Sequence, residues 1–208
     1  MKALIKLVSD LKESDIKNII NERINEFIEI GKKDNKILFK ELCFCLMTAN
    51  FNAERAIKIQ KEIGDGLINL SEINLAKKLQ ELGHRFPNKR AEFIVKARQH
   101  KNDLREILNS KNERYELRNW IADNIKGLGL KESSHFLRNI GYMDYAIIDF
   151  HIIDLLVEYN LIEKPKNISK KIYFEIEKVL EKLGKRLSLN LSELDLYLWY
   201  LETGKILK

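Results

Sequence analysis

The sequence is short of cysteine, proline, glycine and long apolar runs, and each shortage narrows what the chain can be. Only Cys43 and Cys45 occur, two positions apart in the run ELCFCLMTAN. That run reads as a buried helix, on which residues two apart point in nearly opposite directions. The pair therefore suits neither a disulfide nor a shared metal ion, and is expected as inert, buried thiols. Two prolines and nine glycines in 208 residues leave little room for long irregular loops. No apolar run approaches the roughly 20 residues needed to cross a bilayer. In the opening MKALIKLVSDLKESD, Lys6 and then Ser9-Asp10 break the apolar stretch too early for the core of a secretory signal. The chain is expected to be cytoplasmic, with no membrane partner. Its four histidines, at 84, 100, 135 and 151, show no metal-ligand spacing, so no metal site is expected from them.

What is abundant is helical periodicity. Ten stretches carry it, at roughly 15–31, 36–48, 52–64, 72–82, 88–101, 112–125, 130–140, 150–160, 169–183 and 192–202. Leu117, Trp120, Ile121 and Ile125 fall on one face, as do Ile172, Ile176, Val179 and Leu183. Ser71, Ser169 and Ser192 read as N-caps, Pro87 as a first-turn residue, and Gly83, Gly184 and Gly204 as stops. No alternating segment is long enough to compete, so the fold class is all-α. No repeat or flexible linker divides residues 1–208, and any lobes must arise from how the helices pack. A cleft between two helical lobes would be the natural place for a ligand. The 37 basic residues outnumber the 31 acidic ones, a net charge of +6 that suits a nucleic-acid partner without requiring one.

The segment IKGLGLKESSHFL reads as helix, two-glycine hairpin, helix. Gly127 and Gly129 permit backbone conformations closed to other residues, and leave the turn's amides uncovered. Such a turn, with the next helix's N-terminus, can bind a phosphate of a nucleic-acid backbone, though many such turns are only turns. Lys131 lies in the first turn of the following helix. Eighteen positions on, Asp149 interrupts the apolar run YAIIDFHII where another helix should begin. One reading is a solvated lysine and a capping aspartate. The other is a chemical pair, because a capping carboxylate is held ionised by backbone N–H donors and the helix dipole.

The stretch IKGLGLKESSHFLRNIGYMDYAIIDFHII resembles the signature of the helix-hairpin-helix DNA glycosylases: hairpin, lysine, then aspartate in an apolar-Asp-x-His context. Within that superfamily, ELCFCLMTANFNAERA, LGHRFPNKRAEFIV and SELDLYLWYLETGKILK closely resemble the compact, second type of 8-oxoguanine DNA glycosylase. The likeness extends over most of the chain. It implies a two-lobed helical fold, with the helix-hairpin-helix at about 114–140 and an aspartate following it. The implied catalytic residues are Lys131 and Asp149. A lysine at 131 marks a bifunctional glycosylase and lyase, and the absence of cysteine after Cys45 sets the chain apart from relatives that carry a four-cysteine iron–sulfur motif. Phe150 stands where a basic residue is expected, which would weaken a phosphate contact.

The resemblance further implies a mechanism and its partners. The neutral amine of Lys131 attacks C1′ of the deoxyribose, which calls for a dry cleft, while Asp149 stabilises the positive charge growing on the sugar. A Schiff base and β-elimination on the 3′ side follow, with no cofactor. The substrate is double-stranded DNA carrying 8-oxoguanine or an abasic site, bound by a monomer. The target base must leave the duplex. Arg85 and Phe86 are then expected near the estranged base, Trp199 and Lys208 in the base pocket, His151 and the glycines 127 and 129 on the DNA backbone. Read without the resemblance, Phe86 and Trp199 are core residues and 84–101 a solvated basic helix. A monovalent cation at the backbone of Asp123, Ile125 and Gly127 is a further implication. The rival readings are a non-catalytic helix-hairpin-helix DNA-binding module, a protein-interaction domain, and a glycosylase for oxidised pyrimidines.

Overall fold

Caps legible in the sequence set several helix ends in the computed structural model, which describes residues 1–111 and 113–208. Ser71 accepts the N–H of Asn74 and Ser169 that of Ile172, each opening a helix. Pro87 opens another, and Gly83 and Gly204 end two in left-handed conformation. Every described element is helical: α1 Lys2–Lys12, α2 Ile16–Gly31, α3 Asn35–Thr48, α4 Ala53–Ile63, α5 Gly66–Asn69, α6 Glu72–Glu81, α7 Pro87–Ala97, α8 Leu104–Ser110, α9 Arg114–Asn124, α10 Leu130–Asn139, α11 Phe150–Glu158, α12 Lys170–Leu187 and α13 Leu191–Thr203. A single 3-10 turn at 98–100 follows α7.

Two expected caps are corrected. Asn190, not Ser192, caps α13, accepting the N–H of Glu193 while Glu193 accepts that of Asn190. The Ser192 hydroxyl instead turns inward and donates to the carbonyl of Met143. Gly184 does not stop α12, which runs to Leu187 and ends at Ser188 in the left-handed region. Gly184 lies where a Cβ would stand 2.8 Å from the carbonyl of Leu189, so its role is close approach rather than termination. Helices α1, α5 and α8 fall outside the ten periodic stretches; α5 is only 4 residues long and α8 only 7, too short for a clear period. The stretch expected to begin at 112 is a helix from Arg114, and residue 112 lies outside the described residues.

The apolar faces assemble into two cores. One gathers α3 to α10, around Phe39, Phe44, Leu46, Leu79, Ile94, Ile121 and Phe136. The other joins the two ends of the sequence: Leu4, Val8, Ile20 and Phe27 of α1 and α2 pack with Ile153, Leu156, Leu180, Leu183 and Leu194 of α11 to α13. Cys43 and Cys45 are wholly buried and unpaired, and burial pushes both thiols far above their ordinary range, so they stay protonated.

The lobes are tied beneath the cleft by charge. Arg118 of α9 and Glu177 of α12 are both fully buried and form a bidentate pair with distances of 2.6 and 2.8 Å. The Arg118 guanidinium is enclosed by the rings of Tyr115, Tyr145, Tyr173 and Phe174, all within 5.1–5.6 Å of their centroids. A buried pair of this kind survives because its desolvation is offset by good geometry and additional partners.

Candidate active site

Lys131 occupies the second residue of α10, immediately after the hairpin. The hairpin closes when Leu128 donates its N–H to the carbonyl of Ile125 at 3.1 Å. That bond engages one of the three residues expected around a cation. Gly127 has φ of +98°, and a Cβ there would stand 2.3 Å from the ring of Phe93. The glycine is thus demanded by packing as well as by backbone conformation. Gly129 caps α10, and its N–H donates to the Glu132 carboxylate at 3.3 Å. A phosphate arriving at this turn would have to displace that carboxylate.

Asp149 caps α11, its Oδ1 accepting the N–H of Ile152 at 3.0 Å. The cap is where the chain turns from the buried segment 145–148 into the helix. Lys131 and Asp149 open into the same cavity, about 880 Å³ in volume, between the two lobes. Lys131 keeps 25% of its side chain exposed, with Nζ 3.7 Å from Glu132.

Arg85, His151, Trp199 and Lys208 line this cavity too, so the fold brings together six of the residues named from sequence. The His151 ring meets Trp199 edge-on at 4.9 Å and lies 4.1 Å from the Phe150 ring. Phe150 is 66% exposed at the rim. Trp199 is not a core residue; its buried Nε1 has no partner among the described residues. Phe86 does not line the cavity; it is 38% exposed, with the guanidinium groups of Arg85 and Arg90 5.0 and 5.9 Å from its ring centroid.

The basic stretch 84–101 offers less free charge than its composition suggests. Arg90 is buried against the carbonyl of Ala49, and Arg98 donates to the carbonyls of Gly66, Leu67 and Leu70. Glu92 gathers Lys89, Lys96 and Lys126 around one carboxylate, which they hold down to about 2. Arg85 is the residue of that stretch left exposed against the cleft.

Local sequence gave no sign of several groups that shape the cavity. The Lys208 ammonium donates to Glu41 at 2.8 Å and to Gln60 at 2.6 Å, and lies 4.4 Å from the centroid of Phe44. Glu41 also accepts from Asn139 at 2.7 Å, Asn139 accepts from Arg138, and Arg138 pairs with Asp195. A continuous polar chain thus crosses the floor of the cleft from one lobe to the other. His135, one turn beyond Lys131, is buried edge-on to Phe44, and neither ring nitrogen has a hydrogen-bond partner among the described residues. Burial, then the charges of Arg138 and Lys131, hold it neutral by lowering its pKa well below the ordinary value.

Asp195 is a further carboxyl lining the cleft, beside Asp149, Glu132 and Glu54. Burial pushes it up to about 6, Arg138 opposes the shift, and the charge of Asp149 adds to it. Its folded value lies above the ordinary 3.8, so the native protein holds this proton more tightly than the unfolded chain. The group therefore favours folding most at low pH, and that contribution declines as pH rises through 6. Urea melts between about pH 4 and pH 7 should show the parent losing on the order of 3 kcal/mol relative to Asp195→Asn. A difference that stays flat across that range would remove this account of Asp195.

Two helical lobes, a two-glycine hairpin delivering a lysine, and a capping aspartate across a shared cleft make up the fold of a helix-hairpin-helix DNA glycosylase. Residues 20–189 match the family model described as "8-oxoguanine DNA glycosylase". The chain is 54% identical over 206 residues to the 8-oxoguanine DNA glycosylase/AP lyase of Methanocaldococcus jannaschii, covering 99% of both proteins. It is 53% identical to the protein of the same name from Korarchaeum cryptofilum, covering 99% of this chain and 98% of that one. A crystal structure of the Methanocaldococcus jannaschii protein, in complex with 15mer DNA containing 8-oxoguanine, superposes with a TM-score of 0.96 over 99% of this chain and 100% of that one. The chain belongs to the 8-oxoguanine DNA glycosylase family. Among the described residues, no helix is long and apolar enough to cross a membrane.

Proposed function

We propose that this chain excises 8-oxoguanine from duplex DNA and then cleaves the strand, with Lys131 as nucleophile and Asp149 as its acidic partner. The observation that carries this reading is the shared cavity: two residues eighteen positions apart, on different elements, deliver an amine and an ionisable carboxyl into one cleft that Trp199 also lines.

DNA seated over the cleft strips water from Lys131 and favours the neutral amine. Its lone pair forms a bond to C1′ as the glycosidic bond breaks, and the departing base carries away that electron pair and gains a proton. Asp149 stabilises positive charge on the sugar while this happens. Ring opening yields the protonated Schiff base. Loss of a proton from C2′ then expels the 3′ oxygen, and hydrolysis of the imine returns the amine. No other co-reactant than water is required.

Trp199 supplies a ring face for the extruded purine. Lys208 sits at the far side of the base pocket, where its ammonium is anchored by Glu41 and Gln60. Arg85 and Phe86 face the gap left in the duplex, while Gly127, Gly129 and His151 meet its phosphates. One chain holds the whole cleft, so the working unit is a monomer.

The test is a panel of duplexes carrying 8-oxoguanine, an oxidised pyrimidine, guanine or an abasic site, incubated with borohydride. Trapped adduct is expected on 8-oxoguanine and the abasic site. Lys208→Ala should slow 8-oxoguanine excision by about tenfold, one lost polar contact's worth, and leave abasic-site cleavage within about twofold. Equal processing of the oxidised pyrimidine, or no adduct on 8-oxoguanine, would refute the substrate assignment.

A further inference from the structure

The two residues assigned to the chemistry sit on different elements, and the separation between those elements must itself be held. Between α10 and α11 the chain crosses the interior at residues 145–148 without helical hydrogen bonds, so its backbone groups need other partners. Tyr173 of α12 supplies them. Its hydroxyl donates to the carbonyl of Ala146 at 2.7 Å and accepts the N–H of Ile148 at 3.4 Å. The same oxygen lies 3.3 Å from the Ser134 hydroxyl on α10, three residues beyond Lys131. With its one proton committed to Ala146, Tyr173 accepts from Ser134.

The rest of the cluster fixes these partners in turn. Ser134 accepts from Arg118 at 3.2 Å, and Glu177, clamped by Arg118, accepts the N–H of Ala146 at 3.1 Å. Tyr173 and Ser134 are both buried, and neither lines the cleft. Burial pushes the Tyr173 phenol far up its range, so it remains a neutral donor under all working conditions.

We infer that the Tyr173 hydroxyl is a positioning group: it ties the helix that carries Lys131 to the segment that delivers Asp149, and so sets the distance between them. This rests on the catalytic assignment of that pair. Three-point bridging by a rigid aromatic side chain is stiffer than packing alone. A displacement of about 1 Å at reacting groups can cost up to a hundredfold in rate.

Tyr173→Phe removes the bridge and keeps the ring. Single-turnover excision of 8-oxoguanine should fall at least tenfold, with duplex affinity within about twofold and borohydride still trapping an adduct. Ser134→Ala, which cuts only the α10 arm, should give a smaller loss of rate at unchanged affinity. It decides the matter if the tyrosine variant does not fold. Leu183→Ala, in the same helix and core but away from the bridge, should lower the melting temperature at least as far yet excise within about twofold of the parent.

Parental rates in Tyr173→Phe and Ser134→Ala would overturn the inference. So would an equal slowing in Leu183→Ala, because the effect would then follow stability. Lys131→Gln run alongside separates the two layers. If it still yields adduct, the catalytic assignment itself fails; if it is dead while Tyr173→Phe is fully active, only the positioning role falls.

Discussion

Lys131→Gln is expected to eliminate both the borohydride-trapped adduct and strand scission while leaving the fold and duplex affinity intact. Glutamine reaches nearly as far as lysine and is tolerated in a helix, but its amide nitrogen has no available lone pair and forms no Schiff base. Loss of a nucleophile that forms the covalent intermediate typically costs more than about a thousandfold. The cost to stability is small, because the only ion pair of Lys131 among the described residues is a 3.7 Å contact with the neighbouring Glu132 on a partly exposed surface. Such contacts contribute about 0–1 kcal/mol. Single-turnover excision, trapping and a thermal melt on one preparation check all three statements. A trapped adduct in the variant would mean that another amine does the chemistry.

The second large effect is expected at Asp149. Asparagine is as good an N-cap as aspartate, so Asp149→Asn keeps the bond to the Ile152 N–H and the entry of α11. What it removes is the negative charge facing the developing cation on the sugar. Taking one such electrostatic group from a closed site costs roughly a hundredfold to a thousandfold. Base release should fall by about that factor, whereas cleavage of a preformed abasic site should fall less, since no base departs there. Measuring the two steps separately on lesion and abasic duplexes checks this. Base release at the parental rate with a clean melt would show that Asp149 is a cap and nothing more.

The positions of Lys131 and Asp149 were legible because both leave local marks, while the roles proposed for them came from the family resemblance. Lys131 follows a two-glycine hairpin, and Asp149 breaks an apolar run where a helix must begin. Both patterns lie within 30 residues and need no knowledge of packing. The helices were legible for the same reason, apart from the shortest and the N-terminal one, whose buried Leu4 and Val8 acquire meaning only when α12 and α13 pack on them. Ser192 and Gly184 were misread because a serine and a glycine near a helix end satisfy the local rule. Whether they cap and stop, or instead turn inward and allow contact, depends on Met143 and Leu189. Asp195 left no mark at all: it is one acidic residue among leucines, and nothing local distinguishes it from a solvated one.

What the sequence alone determined is ten of the thirteen described helices, several of their caps, the hairpin, and the identity of a lysine and an aspartate in a recognisable frame, because these follow from backbone conformation and side-chain period over a few turns. Tertiary structure alone decided which charges are spent internally, as with Arg90, Arg98 and Arg118, and which remain at the cleft, as with Arg85. It also placed Glu41, Asn139, Arg138 and Asp195 in one line across the cleft floor and raised Asp195 to about 6. Burial and charge proximity arise between elements far apart in the chain, and no local spacing encodes them.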